Sequence, residues 1–130
     1  MREESELLAA NAAFYAAFRA ADGGAMAGLW AARHPVSCAH PGWPLLFGRE
    51  AVLSSWREIF VAGATPPVKC QQPRGHLAGE LGYVTCYEAL DGQLLAATNI
   101  FVREADGWRM VHHQSGPCAP PSGERGATRH

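Results

Sequence analysis

The spacing of apolar side chains divides the chain into two halves. In the first half they recur at helical spacing, and we predict helices over residues 5–20, 22–30 and 48–60. Asp22 is a suitable N-cap for the second of these helices. His34-Pro35 ends that helix, because a residue before proline is disfavoured in the α-helical region.

Beyond residue 67 apolar and polar positions alternate, which is typical of β-strands. We predict a short strand at residues 36–40 and long strands at 68–78, 83–90, 94–104 and 108–115. Asp91-Gly92 and Asp106-Gly107 separate the last three strands, and such dipeptides strongly indicate two-residue hairpins. The pattern therefore predicts an α+β domain in which three N-terminal helices cover a curved antiparallel sheet.

The predicted hairpins assign the side chains of the sheet to two faces. The face with the larger side chains should lie under the helices and carries Val84, Cys86, Glu88, Leu95, Ala97, Asn99, Phe101, Trp108, Met110, His112 and Gln114. The opposite face also has many apolar residues. We therefore expect a second copy of the chain to cover it, which gives a homodimer through the outer sheet face.

Length, charge and composition argue against several classes of protein. The chain has 130 residues, enough for one domain with one core, and its formal net charge is −1 without a basic stripe. We therefore expect no nucleic-acid partner, and the short apolar runs give no reason to expect a membrane. The acidic start of the chain is unlike a secretory signal, so we expect a cytoplasmic protein.

Residues 118–130 are rich in Pro, Gly, Ser and Arg and predict a mobile tail after a domain at 1–117.

The four cysteines, Cys38, Cys70, Cys86 and Cys118, contain no CxxC pair. Neither a structural zinc site nor a dithiol redox motif is indicated, and we expect free thiols. Cys38 and His40 should point the same way on a strand. Two ligands alone do not make a metal site, so we expect neither a metal nor a cofactor.

Several short motifs occur in a recognisable order. They are Phe14-Tyr15, Asp22, Met26, Leu29-Trp30, Cys38-Ala39-His40-Pro41, Gly48-Arg49-Glu50-Ala51-Val52, Trp56, Phe60 and Gly107-Trp108-Arg109-Met110-Val111-His112. With the order of elements, they make residues 6–117 resemble the nuclear transport factor 2-like superfamily, and the closing strand is most similar to its SnoaL-like branch. The resemblance implies a cystatin-like cone around a pocket, usually in a homodimer. It implies no reaction, since this fold hosts enzymes, binders and assembly modules.

His40 is the main candidate catalytic residue. The ketosteroid isomerases of the same superfamily carry their catalytic aspartate just before a proline, and the resemblance places His40 there. Histidine is a competent general base, since its unperturbed pKa is about 6.5. The alternative is a structural histidine bonded to the following loop. The isomerase tyrosine falls on Phe14, with Tyr15 one position away, so steroid isomerisation is not expected.

Other residues are candidates for lining a ligand pocket. His112, Gln114 and Asn99 share the predicted inner face and could orient a polar group, or His112 and Asn99 could satisfy each other in the core. Tyr15, Trp43 and Trp56 suit an aromatic-lined cavity, although an aromatic at helical spacing is more often core and Trp56 is expected to be so. We thus hypothesise a homodimeric pocket protein for a small apolar molecule, with acid–base lyase or isomerase chemistry at His40. The alternative is a non-catalytic association or regulatory module.

Overall fold

The structure is a computed structural model that describes residues 2–63 and 67–121. The described part of the chain forms an α+β fold of three helices and a curved six-stranded sheet, as predicted. The helices are α1 (Arg2–Ala20), α2 (Gly23–Leu29) and α3 (Arg49–Ala62). The strands are β1 (Ser37–Ala39), β2 (Leu46–Phe47), β3 (Val68–Ala78), β4 (Leu81–Leu90), β5 (Gln93–Glu104) and β6 (Gly107–Pro117).

The helix ends follow local chemistry. The side chain of Asp22 accepts a hydrogen bond from the backbone N–H of Ala25 at 3.0 Å, which confirms the predicted cap. Helix α3 ends at Gly63, whose φ of 71° lies in the left-handed region that glycine tolerates. At the start of α3, the Arg49 guanidinium donates to three carbonyl oxygens at the end of α2, at 2.7–3.2 Å. The second and third helices are thereby joined. No helix in the described residues is long and apolar enough to cross a membrane.

The strands are arranged in the order β2-β1-β6-β5-β4-β3. All neighbouring pairs are antiparallel except β1 and β6, which are parallel, so the predicted all-antiparallel sheet is corrected at this one junction. Asp91 and Gly92 both have positive φ, 52° and 79°, as the predicted type I′ turn requires. At the edge, β3 has an irregular register between Gln71 and Arg74, which agrees with the bulged or edge strand expected there.

The second hairpin turns one residue earlier than predicted. Glu104 pairs with Gly107, so the loop residues are Ala105 and Asp106 rather than Asp106 and Gly107. The Asp106 carboxylate accepts a hydrogen bond from Arg109 at 2.9 Å across the turn. Ala105 takes the positive φ of 45° that the first loop position then requires.

A bulge in β6 overturns part of the face assignment. Phe101 pairs with Met110 but Ile100 pairs with His112, so Val111 is an extra residue in the ladder. Side chains beyond an extra residue change face, and His113 instead of His112 is therefore buried with Met110. The prediction is right for the inner faces of β4 and β5 and wrong for β6 after the bulge.

Helix α1 packs directly on the sheet. A Cβ atom at Gly82 of β4 would lie only 3.0 Å from Leu7 Cδ2, so the missing side chain allows this approach. Leu7 is fully buried in the contact. At the other end of the sheet, the N–H of Cys118 donates to the Leu94 carbonyl at 3.1 Å. The predicted tail therefore starts against the sheet, and its residues 122–130 lie outside the described part of the chain.

Candidate functional site

Two buried histidines from neighbouring strands lie at the centre of a polar cluster under the helices. The parallel pairing of β1 with β6 sets Cys38 beside His113. Side chains two residues apart on a strand point the same way, so His40, which follows β1, faces the interior with Cys38. His40 is 5% exposed and His113 1% exposed, and their ring centroids are 6.4 Å apart.

A chain of hydrogen bonds crosses the inner face of the sheet from His113. Its Nδ1 atom lies 2.6 Å from Asn99 Oδ1. The Asn99 amide donates to Asn11 Oδ1 at 2.9 Å and to the Tyr15 hydroxyl at 3.1 Å. Tyr15 donates its own proton to Glu88 Oε2 at 2.6 Å. An imidazole, an amide, a phenol and a carboxyl group are thus connected inside the protein.

Thiol groups flank this chain. The Cys86 sulfur lies 3.3 Å from the Tyr15 hydroxyl, and the Asn11 amide donates to the Cys70 sulfur at 3.7 Å. All four cysteines are free, as expected. Burial raises the pKa of the Cys38 thiol to about 12, with a further contribution from Glu88, so this thiol stays protonated at neutral pH.

His40 is held from the opposite side by α3. Its Nε2 atom lies 2.9 Å from Ser55 Oγ, and that hydroxyl also contacts the Val52 carbonyl at 2.6 Å. The rings of Trp56 and Trp43 meet the imidazole edge-on, at centroid distances of 4.7 and 5.0 Å. The Cys38 sulfur lies 3.7 Å from Nε2 and 3.9 Å from Nδ1, so His40 is surrounded by a hydroxyl, a thiol and two indoles.

Aromatic side chains fill the space around both imidazoles. Phe14 lies 4.9 Å from His113 and 5.6 Å from Trp56 between ring centroids. Trp56 is 1% exposed, and its Nε1 donor has no partner among the described residues. Because buried polar groups are normally paired, this N–H is a group that a bound molecule could satisfy.

Burial keeps the histidines neutral. Desolvation lowers the pKa of His40 from 6.5 to about 4. Desolvation, followed by the charges of His40 and His112, lowers the pKa of His113 to about 3. Desolvation also raises the pKa of Glu88, although the neighbouring hydroxyls of Tyr15 and Ser115 oppose the rise. The cluster therefore favours the uncharged form of each of these groups.

The structure brings together five of the predicted site residues. His40, Tyr15, Trp43, Trp56 and Asn99 all belong to the cluster described above. Phe14 and Tyr15 are neighbours on α1, and both are buried against the sheet.

His112 and Gln114 are not part of the cluster, because the bulge at Val111 turns them to the other face. His112 Nε2 lies 3.1 Å from Gln114 Oε1, and its Nδ1 lies 2.7 Å from Ser37 Oγ. The expected pairing of His112 with Asn99 is therefore wrong, and His113 makes that contact.

Three residues of the cluster were missed or discounted on the sequence. Glu88 was on the predicted inner face but was not named as a site residue, and no spacing in the sequence links Ser55 to a histidine. His113 was assigned to the outer face. The dipeptide His112-His113 was the available signal, since either register of β6 would place one imidazole inside. In the described residues, no group of three or more His, Cys, Asp or Glu side chains could hold a metal ion.

Comparison with known proteins identifies the domain. A model of the SnoaL-like domain matches residues 7–120. The chain belongs to the SnoaL-like family. Among curated proteins, this SnoaL-like chain is 29% identical over 111 residues to the F-box protein SKIP8 of Arabidopsis thaliana. The match covers 84% of the chain and 48% of SKIP8, so the chain spans about half the length of that relative.

Two solved structures extend this placement of the SnoaL-like chain. A proposed dehydratase of the NTF2-like family from Streptomyces avermitilis is 32% identical and superposes with a TM-score of 0.82, covering 92% of this chain and 98% of the other. A proposed association domain of a calcium/calmodulin-dependent protein kinase type II from Thiobacillus denitrificans is 34% identical, with a TM-score of 0.68 and coverage of 85% and 94%.

Proposed function

We propose that this SnoaL-like protein binds a small, mostly apolar molecule and performs acid–base lyase chemistry of the dehydratase type, with His40 as general base. One observation carries the proposal: two neutral imidazoles lie side by side in an aromatic interior, and one of them is bonded into a chain that ends at a carboxyl group. The proposed dehydratase of Streptomyces avermitilis, 32% identical over most of this chain, supports the same class of reaction.

In this proposal each buried polar group of the cluster has a separate role. A dehydration removes a proton from carbon and releases a hydroxyl group as water, so it needs a base and an acid. His40 supplies the base, because it is neutral above a pKa of about 4. Glu88 is the candidate source of the proton, since burial raises its pKa and favours the protonated form. Tyr15 and Asn99 connect Glu88 to His113 and fix the orientation of that imidazole.

Steroid isomerisation remains disfavoured. Such a reaction needs acidic donors aimed at the developing enolate oxygen. Phe14 has no hydroxyl, and the hydroxyl proton of Tyr15 is already donated to Glu88. The interior therefore lacks a free phenolic donor at this point of α1.

The test is a comparison of histidine variants on small β-hydroxy ketones, in which loss of water produces a conjugated enone with its own ultraviolet absorbance. We expect His40→Gln to lower turnover by about 100-fold or more, the usual range for a general base. His76→Gln is the control, because His76 stacks on Tyr83 away from the cluster. Equal turnover in the two variants would contradict the proposal.

The pH profile gives a second measurement of the same base. An ordinary histidine is mostly protonated below pH 6.5, whereas the pKa of His40 is lowered to about 4. Protonation of His40 should therefore not limit turnover between pH 7 and 5.5, and the loss that is due to this base should begin only as the pH approaches about 4. A decline centred near pH 6.5 would exclude His40 as the buried base.

The second candidate function is a non-catalytic association module. The likeness to the association domain from Thiobacillus denitrificans, at 34% identity, favours it. In that case the buried polar cluster would serve only stability, and the surface would carry the function. Loss of assembly in a surface variant, together with unchanged behaviour of His40→Gln, would select this candidate.

Under either candidate we propose a homodimer through the outer face of the sheet. Leu81 and Tyr83 of β4 are 45% and 39% exposed, and large exposed apolar side chains on a sheet commonly mark an interface. Tyr83→Arg should convert the dimer to a monomer in light scattering. Leu45→Arg is the matched control, since Leu45 is 55% exposed on another part of the chain. A cytoplasmic location also remains part of the proposal.

A further inference from the structure

The Ser55 hydroxyl is fixed by two short contacts. Ser55 is 3% exposed, and its Oγ atom lies 2.6 Å from the Val52 carbonyl oxygen and 2.9 Å from His40 Nε2. A hydroxyl has one proton, and a carbonyl oxygen can only accept. The contact at 2.6 Å must therefore contain the serine proton. Only lone pairs of Oγ remain for His40, so the proton of the second contact belongs to Nε2.

We infer that Ser55 is a positioning residue that holds His40 in its Nε2–H tautomer and leaves Nδ1 as the nitrogen that accepts a proton. The inference rests on the proposed function, in which His40 is the base. When Nδ1 takes a proton from carbon, the electron pair of the C–H bond stays on the bound molecule and the ring becomes an imidazolium. Its Nε2–H stays bonded to Ser55, whose own proton remains on the Val52 carbonyl.

This assignment excludes a nucleophilic role for Ser55. In serine hydrolases the hydroxyl is hydrogen-bonded to the histidine that removes its proton. In the present cluster the hydroxyl donates to the helix backbone and the histidine donates to the hydroxyl. Ser55 therefore stabilises positive charge on His40 during proton abstraction instead of attacking a carbonyl carbon.

Counting the available protons in the same way gives the opposite tautomer for His113. The two amide protons of Asn99 are used by Asn11 and Tyr15, at 2.9 and 3.1 Å. Asn99 Oδ1 is therefore the acceptor toward His113, and Nδ1 of His113 carries the proton at 2.6 Å. The two buried histidines are therefore held with different nitrogens unprotonated. Their NMR patterns can be compared directly in one sample.

The experiment reads both tautomers in the free protein by long-range proton–nitrogen NMR correlation on ¹⁵N-histidine-labelled material at pH 7. The variants His40→Gln and His113→Asn assign the signals. We expect wild-type His40 to show a protonated Nε2 and a bare Nδ1, and His113 to show the reverse pattern. Ser55→Ala should shift the His40 tautomer ratio toward Nδ1–H by about fivefold, the factor expected for one net hydrogen bond.

Matched variants separate positioning from a general structural effect. Ser54 is the exposed neighbour on the same helix, so Ser54→Ala should leave the His40 ratio unchanged. Ser55→Thr keeps the hydroxyl and should preserve the wild-type pattern, and His113 should not change in any of the three variants. A wild-type His40 in the Nδ1–H tautomer would overturn the inference, and this measurement does not depend on Ser55→Ala being able to fold. Equal ratios in Ser55→Ala and Ser54→Ala would overturn it as well.

These outcomes are independent of the proposed reaction. The tautomers are measured without substrate, so failure of the inference appears as a wrong or unresponsive tautomer at His40. Failure of the proposed function appears instead as full turnover in His40→Gln.

Discussion

Glu88 and Glu104 are both buried carboxyl groups of the same sheet, yet their surroundings drive them in opposite directions. Glu104, at the end of β5, accepts hydrogen bonds from the backbone N–H groups of Ala32 and Arg33 at 3.0 and 2.7 Å, and its Oε2 lies 2.8 Å from His34 Nδ1. Desolvation alone would raise its pKa, but these partners lower the pKa to about 2. Glu88 has one short hydrogen bond, from Tyr15, and burial raises its pKa.

The difference shows how to tell an anchoring carboxylate from one available for proton transfer. Glu104 is a full anion, and its donors fix the segment between α2 and β1 that leads to His40. Glu88 has too few donors to offset its loss of water, so it retains a proton more readily than an exposed glutamate does. A strong anion adds stability, and a carboxyl with a raised pKa can deliver a proton.

The largest expected effect is the difference in stability between Glu104→Gln and Glu88→Gln. The first replacement removes charge-assisted hydrogen bonds from three donors and should lower the free energy of unfolding by about 3 kcal/mol. The second keeps an acceptor for Tyr15 and removes a carboxyl group whose charged form burial already disfavours, so we expect a change below about 1 kcal/mol. Urea denaturation at pH 7 measures both, and equal losses would break the comparison.

Unfolding free energies measured across a range of pH separate the contribution of the Glu88 cluster from that of Glu104. Below pH 6.5 the unfolded chain protonates His40 and His113, whereas the folded protein does so only near about 4 and 3, so stability falls as the pH is lowered. Glu88 acts in the opposite sense above 4.5, because its folded-state pKa is raised. Stability should therefore decrease between pH 6.5 and 4.5 with a slope below about 2.7 kcal/mol per pH unit, the value for two protons, because Glu88 offsets part of the loss.

Glu104 contributes to this series only at lower pH. Its lowered pKa gives stability that is complete above 4.5 and is lost as the pH falls toward about 2. In Glu104→Gln the slope between pH 6.5 and 4.5 should therefore persist, and the slope below 4.5 should decrease. The slope between pH 6.5 and 4.5 should become smaller in His113→Gln. Loss of that slope in Glu104→Gln would contradict its assignment to the histidines.

Tyr15→Phe tests the short hydrogen bond to Glu88 and should have a small effect. It removes the hydrogen bond to Glu88 and the acceptor for Asn99, and we expect a loss of about 1 kcal/mol. Because this hydrogen bond lowers the pKa of Glu88, its removal should raise that pKa further. Carboxyl ¹³C NMR of labelled glutamate measures the shift, and the Glu104 resonance is the control. A lowered pKa for Glu88 would contradict the assignment.

Local chemistry made much of the fold predictable. The cap at Asp22, the turn at Asp91-Gly92 and the inner faces of β4 and β5 depend on residues close in sequence, and each was predicted correctly. Strand alternation also placed Asn99 on the inner face, whereas His40 was placed at the pocket by the resemblance to the ketosteroid isomerases.

The rest of the site depends on contacts between distant segments. The bulge at Val111 lies where β6 changes partners: Met110 accepts from the backbone of Ala31 at 2.9 Å, and His112 pairs with β1. The pattern of apolar and polar residues within β6 does not indicate this change of partner. The placement of Ser55 beside His40 likewise follows from the packing of α3 against β1, and spacing within either element carries no sign of it.

The bulge also has a consequence for the comparison of sequences. Counting strict alternation from the buried Trp108 leads to His112, whereas the buried imidazole belongs to His113. A one-residue gap placed at Val111 restores the correspondence with a relative whose final strand is regular. Alignments that forbid a gap inside the strand will pair the interior histidine of such a relative with a residue on the outer face of this protein.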